Sequence, residues 1–328
     1  MKTQIIIATI SLAAALSALS AGSFPEAEIS NKAVRAKLYL PSAENGYYRG
    51  TRFDWSGVIA SLTYKGHEYF GQWFERYEPT LHDAITGPVE EFRSEDGGLG
   101  YGAAKPGETF VKIGVGVLRK TDDQKYFFAR PFPILNPGRR TVRPDRDRVE
   151  FVHELSDGEG YAYTYKKTVR LDGNKPVLIL DHSLKNTGKK TIETSVYNHD
   201  FFMIDKQPTG PDFHVLFTFP AHATDDLKGF AEIQGAELTY LKELQTKQSA
   251  ATYITGYGGS AKDNDISVEN RKTKAGVREV GDHPISKLYL WSIRTTVCPE
   301  AYIDLKIEPG REAHWRITYS FYTLEEKH

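Results

Sequence analysis

Three segments of the chain set titratable side chains among large aromatics, where proton transfer can be tuned. The first is Tyr197-Asn198-His199-Asp200-Phe201-Phe202, which closes the apolar run Ile192 to Val196 and precedes a Pro208-Thr209-Gly210 turn. An imidazole titrates near neutrality, at about 6.5, so His199 can hold or release a proton there. Successive side chains alternate across a strand. Asn198 and Asp200 therefore share one face and His199 takes the other, so sequence adjacency alone assembles no triad. A half-buried strand histidine satisfied by Asn198 or by backbone is the plain alternative for the same residue. The second segment is Val297-Cys298-Pro299-Glu300-Ala301-Tyr302. Pro299 lacks an amide donor and is expected to interrupt the strand, leaving Glu300 at a strand entrance beside Tyr302. Apolar surroundings raise a carboxyl pKa toward the range useful to a general base, whereas a Glu at an exposed turn would only be solvated. The third segment runs from Leu81-His82-Asp83-Ala84 through Gly87-Pro88 to Phe92 and reads as a loop following Tyr48-Arg49-Gly50-Thr51-Arg52-Phe53. Arg52 and His82 are plausible donors to hydroxyl and ring oxygens, with aromatic faces to cover C–H surfaces.

Other chemistries fit poorly. His82-Asp83 and His199-Asp200 are adjacent pairs that diverge on a strand, and neither His-x-His nor His-Glu-x-x-His spacing occurs; no metal is expected. No Gly-x-Ser-x-Gly elbow is present. Gly98-Leu99-Gly100-Tyr101-Gly102 and Gly114-Val115-Gly116 are followed by no helical pattern, so they read as loop or close-packed strand rather than a dinucleotide fingerprint. Cys298, the single cysteine, excludes an internal disulfide framework and reads as a buried small residue rather than a nucleophile.

The elements that must position these residues are strands. Val149, Phe151, His153 and Leu155 alternate with polar neighbours, as do Tyr161 through Leu171, Ala301 through Ile307, and Trp315 through Phe321. Gly, Pro and Asn clusters such as Asp172-Gly173-Asn174 and Glu308-Pro309-Gly310 punctuate them. Only Asp225 to Leu244 could carry a short helix, and Gly229 and Gly235 weaken it. No repeat, linker or composition break divides the body, so one large antiparallel sandwich over residues 30–325 is expected. The 328 residues carry 42 Lys+Arg against 43 Asp+Glu, a net charge of −1. That balance, without a single-sign block, disfavours nucleic-acid or anionic-membrane partners, which need a concentrated field.

The N-terminus has the layout of a secretory signal peptide over residues 1–22: Lys2, an apolar and small-residue run from Ile5 to Leu19, then small residues through Ser23. The run is shorter than the roughly 20 residues a spanning helix needs. The chain is therefore expected to be exported, periplasmic or extracellular, with no membrane association after processing.

In their order these segments resemble the aldose 1-epimerase (galactose mutarotase-like) family. The matching residues are Arg52, Leu81-His82 with Gly87, Asn198-His199-Asp200-Phe201-Phe202, and Pro299-Glu300-Ala301-Tyr302 leading into Pro309-Gly310. The resemblance implies an all-β fold, a large antiparallel β-supersandwich, and interconversion of the anomers of an aldose or related sugar. By it Glu300 would take the proton from the anomeric hydroxyl and His199 would protonate the ring oxygen, while Arg52 and His82 would hold the sugar and Asn198 would bind it in a supporting role. No cofactor is implied. Asp83-Ala84 departs from the family's Gly-Gly, Phe201 replaces a Tyr, and the family's mid-chain sugar-binding Asp could be Asp225, Asp226, Asp263 or Asp265. Two readings stay open beside this one: a non-catalytic carbohydrate-binding module, and a polysaccharide lyase with Arg52 neutralising a uronate beside Tyr197.

Overall fold

The computed structural model describes residues 24–325 except 95, so the predicted signal segment lies outside the described residues. The alternating runs form strands: Arg148–Ser156, Ala162–Leu171, Thr296–Ile307 and Glu312–Thr323. They bury the residues that the period-two pattern selects, among them Phe151, Tyr163, Tyr165, Ile303, Leu305, Tyr319 and Phe321. Two antiparallel sheets dominate. A ten-stranded sheet has Glu312–Thr323 flanked by Val177–Asn186 and Ala275–Gly281 near its middle. A six-stranded sheet runs in the spatial order His222–Ala223, Ser249–Thr255, Lys287–Ile293, Thr296–Ile307, Ile192–His199, Val89–Arg93. Smaller four-stranded and three-stranded sheets complete the array. This is the expected all-β architecture.

The inner strands of the six-stranded sheet turn one face inward. Val196, Ile303, Leu305 and Phe92 pack with Tyr165, Leu184 and Trp315 of the ten-stranded sheet, closing the interior by burial of apolar surface. The opposite face carries the alternate residues of the same strands.

Two expectations are corrected. Asp225 to Leu244 holds no helix: Ala231–Gln234 and Glu237–Tyr240 pair as a short hairpin, turned at Gly235, whose φ of +62° suits glycine. Pro299 does not end a strand either. It lies within Thr296–Ile307 and pairs with Leu290. On its other side, pairing with Ile192–His199 runs as far as Val196↔Ile303 and returns at the isolated bridge Phe202↔Val297. The amide that proline lacks falls in that gap, so the ladder loses little. Both glycine-rich stretches form turns and strand ends, without a helix.

Candidate active site

The outward face of the six-stranded sheet is a grid. Tyr253 stands across from Tyr289, Tyr289 from Glu300, Lys287 from Tyr302, Tyr197 from Glu91 and Ser195 from Arg93. Carrying the Val196↔Ile303 register three residues further sets His199 opposite Glu300. The contact confirms it: His199 Nε2 lies 3.3 Å from Glu300 Oε1. The two form the floor of a cleft of about 340 Å³, walled by Tyr289, Trp291, Tyr302 and Phe128.

His199 is held by rings. Phe201 stacks on it at a centroid distance of 3.8 Å, and Phe53 and Trp291 meet it edge-on at 5.7 and 5.4 Å. A regular strand would set Phe201 about 7 Å along the same face. Its φ of +46°, uncommon for a bulky residue, breaks the strand at that point, and its ring lies on the imidazole. His199 Nδ1 is buried without a hydrogen-bonding partner among the described residues. Gly87 serves the same corner: a Cβ there would stand 2.2 Å from the Asp200 carbonyl oxygen and 2.6 Å from that of His199. Only a glycine lets the Leu81–Pro88 loop pass so close to the end of this strand.

Burial sets the protonation. Desolvation raises the Glu300 carboxyl to about 8, against the pull of Arg52. Desolvation, with Arg52 adding to it, lowers the His199 imidazolium well below its usual value. Near neutrality the pair thus rests as carboxylic acid and neutral imidazole with one proton between them, the reverse of what the unperturbed values suggest. The Tyr302 hydroxyl donates to Glu300 Oε2 at 3.3 Å.

Arg52 lines the cleft beside this pair. Its Nε donates to Glu91 at 2.8 Å, one terminal nitrogen to Asp83 at 2.6 Å and the other to the Tyr197 hydroxyl at 3.2 Å. Phe53 and Phe128 lie against the guanidinium at 4.4 and 4.1 Å. Three of its five N–H groups are thus engaged within the protein, leaving two for a ligand. Burial works to raise Glu91, but Arg52, Lys112 and Arg93 outweigh it and hold that carboxylate at about 2.

The remaining predicted residues fall elsewhere. His82 does not line the cleft and spends Nε2 on Asp83 Oδ2 at 2.9 Å; it supports the residue that clamps Arg52. Asn198 points away from the cleft into the sandwich, as alternation requires. Its side-chain amide donates to the Tyr319 hydroxyl at 3.0 Å, and that hydroxyl donates to Asp200 at 2.8 Å and lies 3.5 Å from Glu279. Desolvation raises both carboxyls, Glu279 to about 7. Asn198 therefore serves the interior, and the expectation that it meets a sugar is not met. None of Asp225, Asp226, Asp263 and Asp265 lines the cleft. Asp225 accepts from the Thr224 hydroxyl, Asp226 from the Lys228 amide, Asp263 from the Gly258 amide and Asp265 from Arg278. Sequence reasoning missed Glu91, Arg93, Tyr289 and Trp291. Their signal is the period-two spacing of Lys287-x-Tyr289-x-Trp291 and of Glu91-x-Arg93. Among the described residues, no group of three or more His, Cys, Asp or Glu is placed to hold a metal ion.

No protein-family model and no curated protein matches the chain. Solved structures do. A protein from Synechocystis sp. PCC 6803 superposes with a TM-score of 0.57 at 15% identity, over 92% of this chain and 97% of that one. A GalM/aldose epimerase homologue from C. elegans gives 0.56 at 13% over 92% and 99%. A galactose mutarotase-like protein from Lactobacillus casei gives 0.54 at 12% over 90% and 100%. The chain has the fold of these proteins, an aldose epimerase homologue and a mutarotase-like protein among them.

Proposed function

We propose that the chain is an exported enzyme that interconverts the anomers of an aldose or related sugar, free or at the end of an oligosaccharide. The observation that carries this reading is the 3.3 Å contact between His199 Nε2 and Glu300 Oε1 on the floor of an aromatic cleft. In the reactive form the shared proton sits on His199, and Arg52 and Tyr302 favour the resulting Glu300 carboxylate. Glu300 takes the proton from the anomeric hydroxyl as the C1–O5 bond breaks and the C1 carbonyl forms, and His199 gives its proton to O5. The site then holds the open-chain sugar with a protonated Glu300 and a neutral His199, the arrangement that burial favours. Rotation about C1–C2 and the reverse transfers close the ring on its other face. No net proton is taken up or lost. Each positioned transfer is worth about 10²–10⁴-fold.

The lyase alternative has its two residues in contact, Arg52 and the Tyr197 hydroxyl at 3.2 Å. Against it, desolvation and Glu91 raise that hydroxyl well above its usual value, and it already donates to Glu91 at 2.6 Å. It is a poor base. Polarimetry of freshly dissolved hexoses, pentoses and uronates tests the epimerase reading; a protein that speeds none of them to anomeric equilibrium overturns it.

A further inference from the structure

Beyond the proton-transfer pair, the cleft has an electrostatic asymmetry that the reaction does not use. One carboxylate, Glu91, serves three cations: Arg52 at 2.8 Å, Lys112 at 3.5 Å and Arg93 at 3.7 Å. Asp83 offsets Arg52. Arg93 therefore shares Glu91 at the longest of the three distances, interacts with the Tyr302 hydroxyl, and lines the cleft with its side chain partly exposed. On the other side of Tyr302, the Lys287 ammonium rests 3.8 Å from that ring's centroid. Among the described residues no carboxylate pairs with it. Burial and the Arg93 charge together lower the Lys287 pKa, while Glu300, Asp304 and Glu91 act more weakly the other way. Two cations thus flank Tyr302 of the cleft wall, Arg93 lining the cleft itself and Lys287 lying against the tyrosine ring.

Their distance from the chemistry is set by the sheet. Lys287 shares a row with Tyr302, two residues along the strand from Glu300. That is about 7 Å, the breadth of a pyranose. Arg93 also lines two further depressions, of about 660 and 510 Å³, so this side of the cleft borders open surface.

We propose that Arg93 and Lys287 form a subsite for a carboxylate carried by the sugar ring, which makes uronic acids, free or ending an oligosaccharide, the substrate class of this cleft. This rests on the anomer-exchange reading. A guanidinium presents paired donors that match a carboxylate, and charge-assisted hydrogen bonds are the strong ones.

The test is calorimetric titration with methyl glycosides, which cannot open and so report binding alone. Methyl glucuronide and methyl galacturonide should bind the wild-type protein roughly tenfold or more tightly than methyl glucoside and methyl galactoside. Arg93→Gln and Lys287→Met should each cut that preference roughly tenfold. The proposal is overturned if neutral glycosides bind as well as uronides, if methyl glucoside 6-phosphate binds better than both uronides, or if the preference survives both substitutions. Because anomer exchange is not read, uronide preference in a protein inert toward free sugars would uphold the subsite and reject the enzyme.

Discussion

The Tyr302 hydroxyl donates to Glu300 Oε2 at 3.3 Å, and this bond stabilises the carboxylate against the desolvation that lifts Glu300 to about 8. If His199 and Glu300 act with one proton between them, raising the pH through about 8 removes it. The rate then falls on the alkaline side. Tyr302→Phe deletes a donor to the charged form, so it raises the Glu300 pKa and moves the alkaline limb to higher pH. A pH profile of kcat/KM for the two proteins checks this; an unmoved or lowered limb contradicts it.

Arg52 neutralises Glu91, which is fully buried. Removing one partner of such a pair leaves an uncompensated charge, at a cost of about 3–5 kcal/mol. Arg52→Met should therefore lower the urea unfolding free energy by that order, whatever it does to activity. A loss below about 1 kcal/mol would show that Lys112 and Arg93 suffice for Glu91.

The interior carboxyls give stability its own pH dependence. Burial raises Glu279 from 4.5 to about 7, so the folded chain holds a proton that the unfolded chain releases. Stability is then greatest below pH 4.5 for this group and is lost as pH rises through about 7. Glu279→Gln removes the contribution. Relative to wild type, the variant should gain on the order of 1–3 kcal/mol between pH 5 and pH 8.5, read by urea unfolding at both. An equal difference at the two values contradicts the assignment.

Gly87 passes against the backbone at the end of the His199 strand. Gly87→Ala puts a carbon where the Asp200 and His199 carbonyl oxygens stand, at 2.2 and 2.6 Å, so strand or loop must move. A displacement near 1 Å can cost about 100-fold in rate. The expected result is a folded protein by circular dichroism with kcat/KM lowered on that order; an unimpaired rate would mean the loop yields instead of the site.

Most of the fold was legible because period-two alternation is a local property of the sequence. The facing of His199 away from Asn198 and Asp200 followed from the same rule. That rule already excluded a sugar contact for Asn198 alongside His199, yet the motif resemblance suggested one. Pro299 misled because a proline reads as a break unless the gap in the neighbouring ladder is known, and that gap depends on Phe201, a hundred residues away in sequence. Asp83 read only as a departure from a Gly-Gly loop. Its role as the clamp on Arg52 is a tertiary fact, since the two meet only when both loops fold over Val89–Arg93. Arg93 and Lys287 carry no motif; their place follows from strand register, which pairs residues far apart in the chain. The same holds for the pKa reversal in the central pair, which arises from burial.

The central claim is that His199 and Glu300 act together on one ring. Saturation-transfer NMR between anomers of a sugar that the wild-type protein accepts measures the exchange rate directly, in wild type, His199→Asn and Glu300→Gln. The account predicts catalysed exchange in wild type and a loss of about 10²–10⁴-fold in each variant, with fold and sugar binding preserved. Exchange at the wild-type rate in either variant would contradict it.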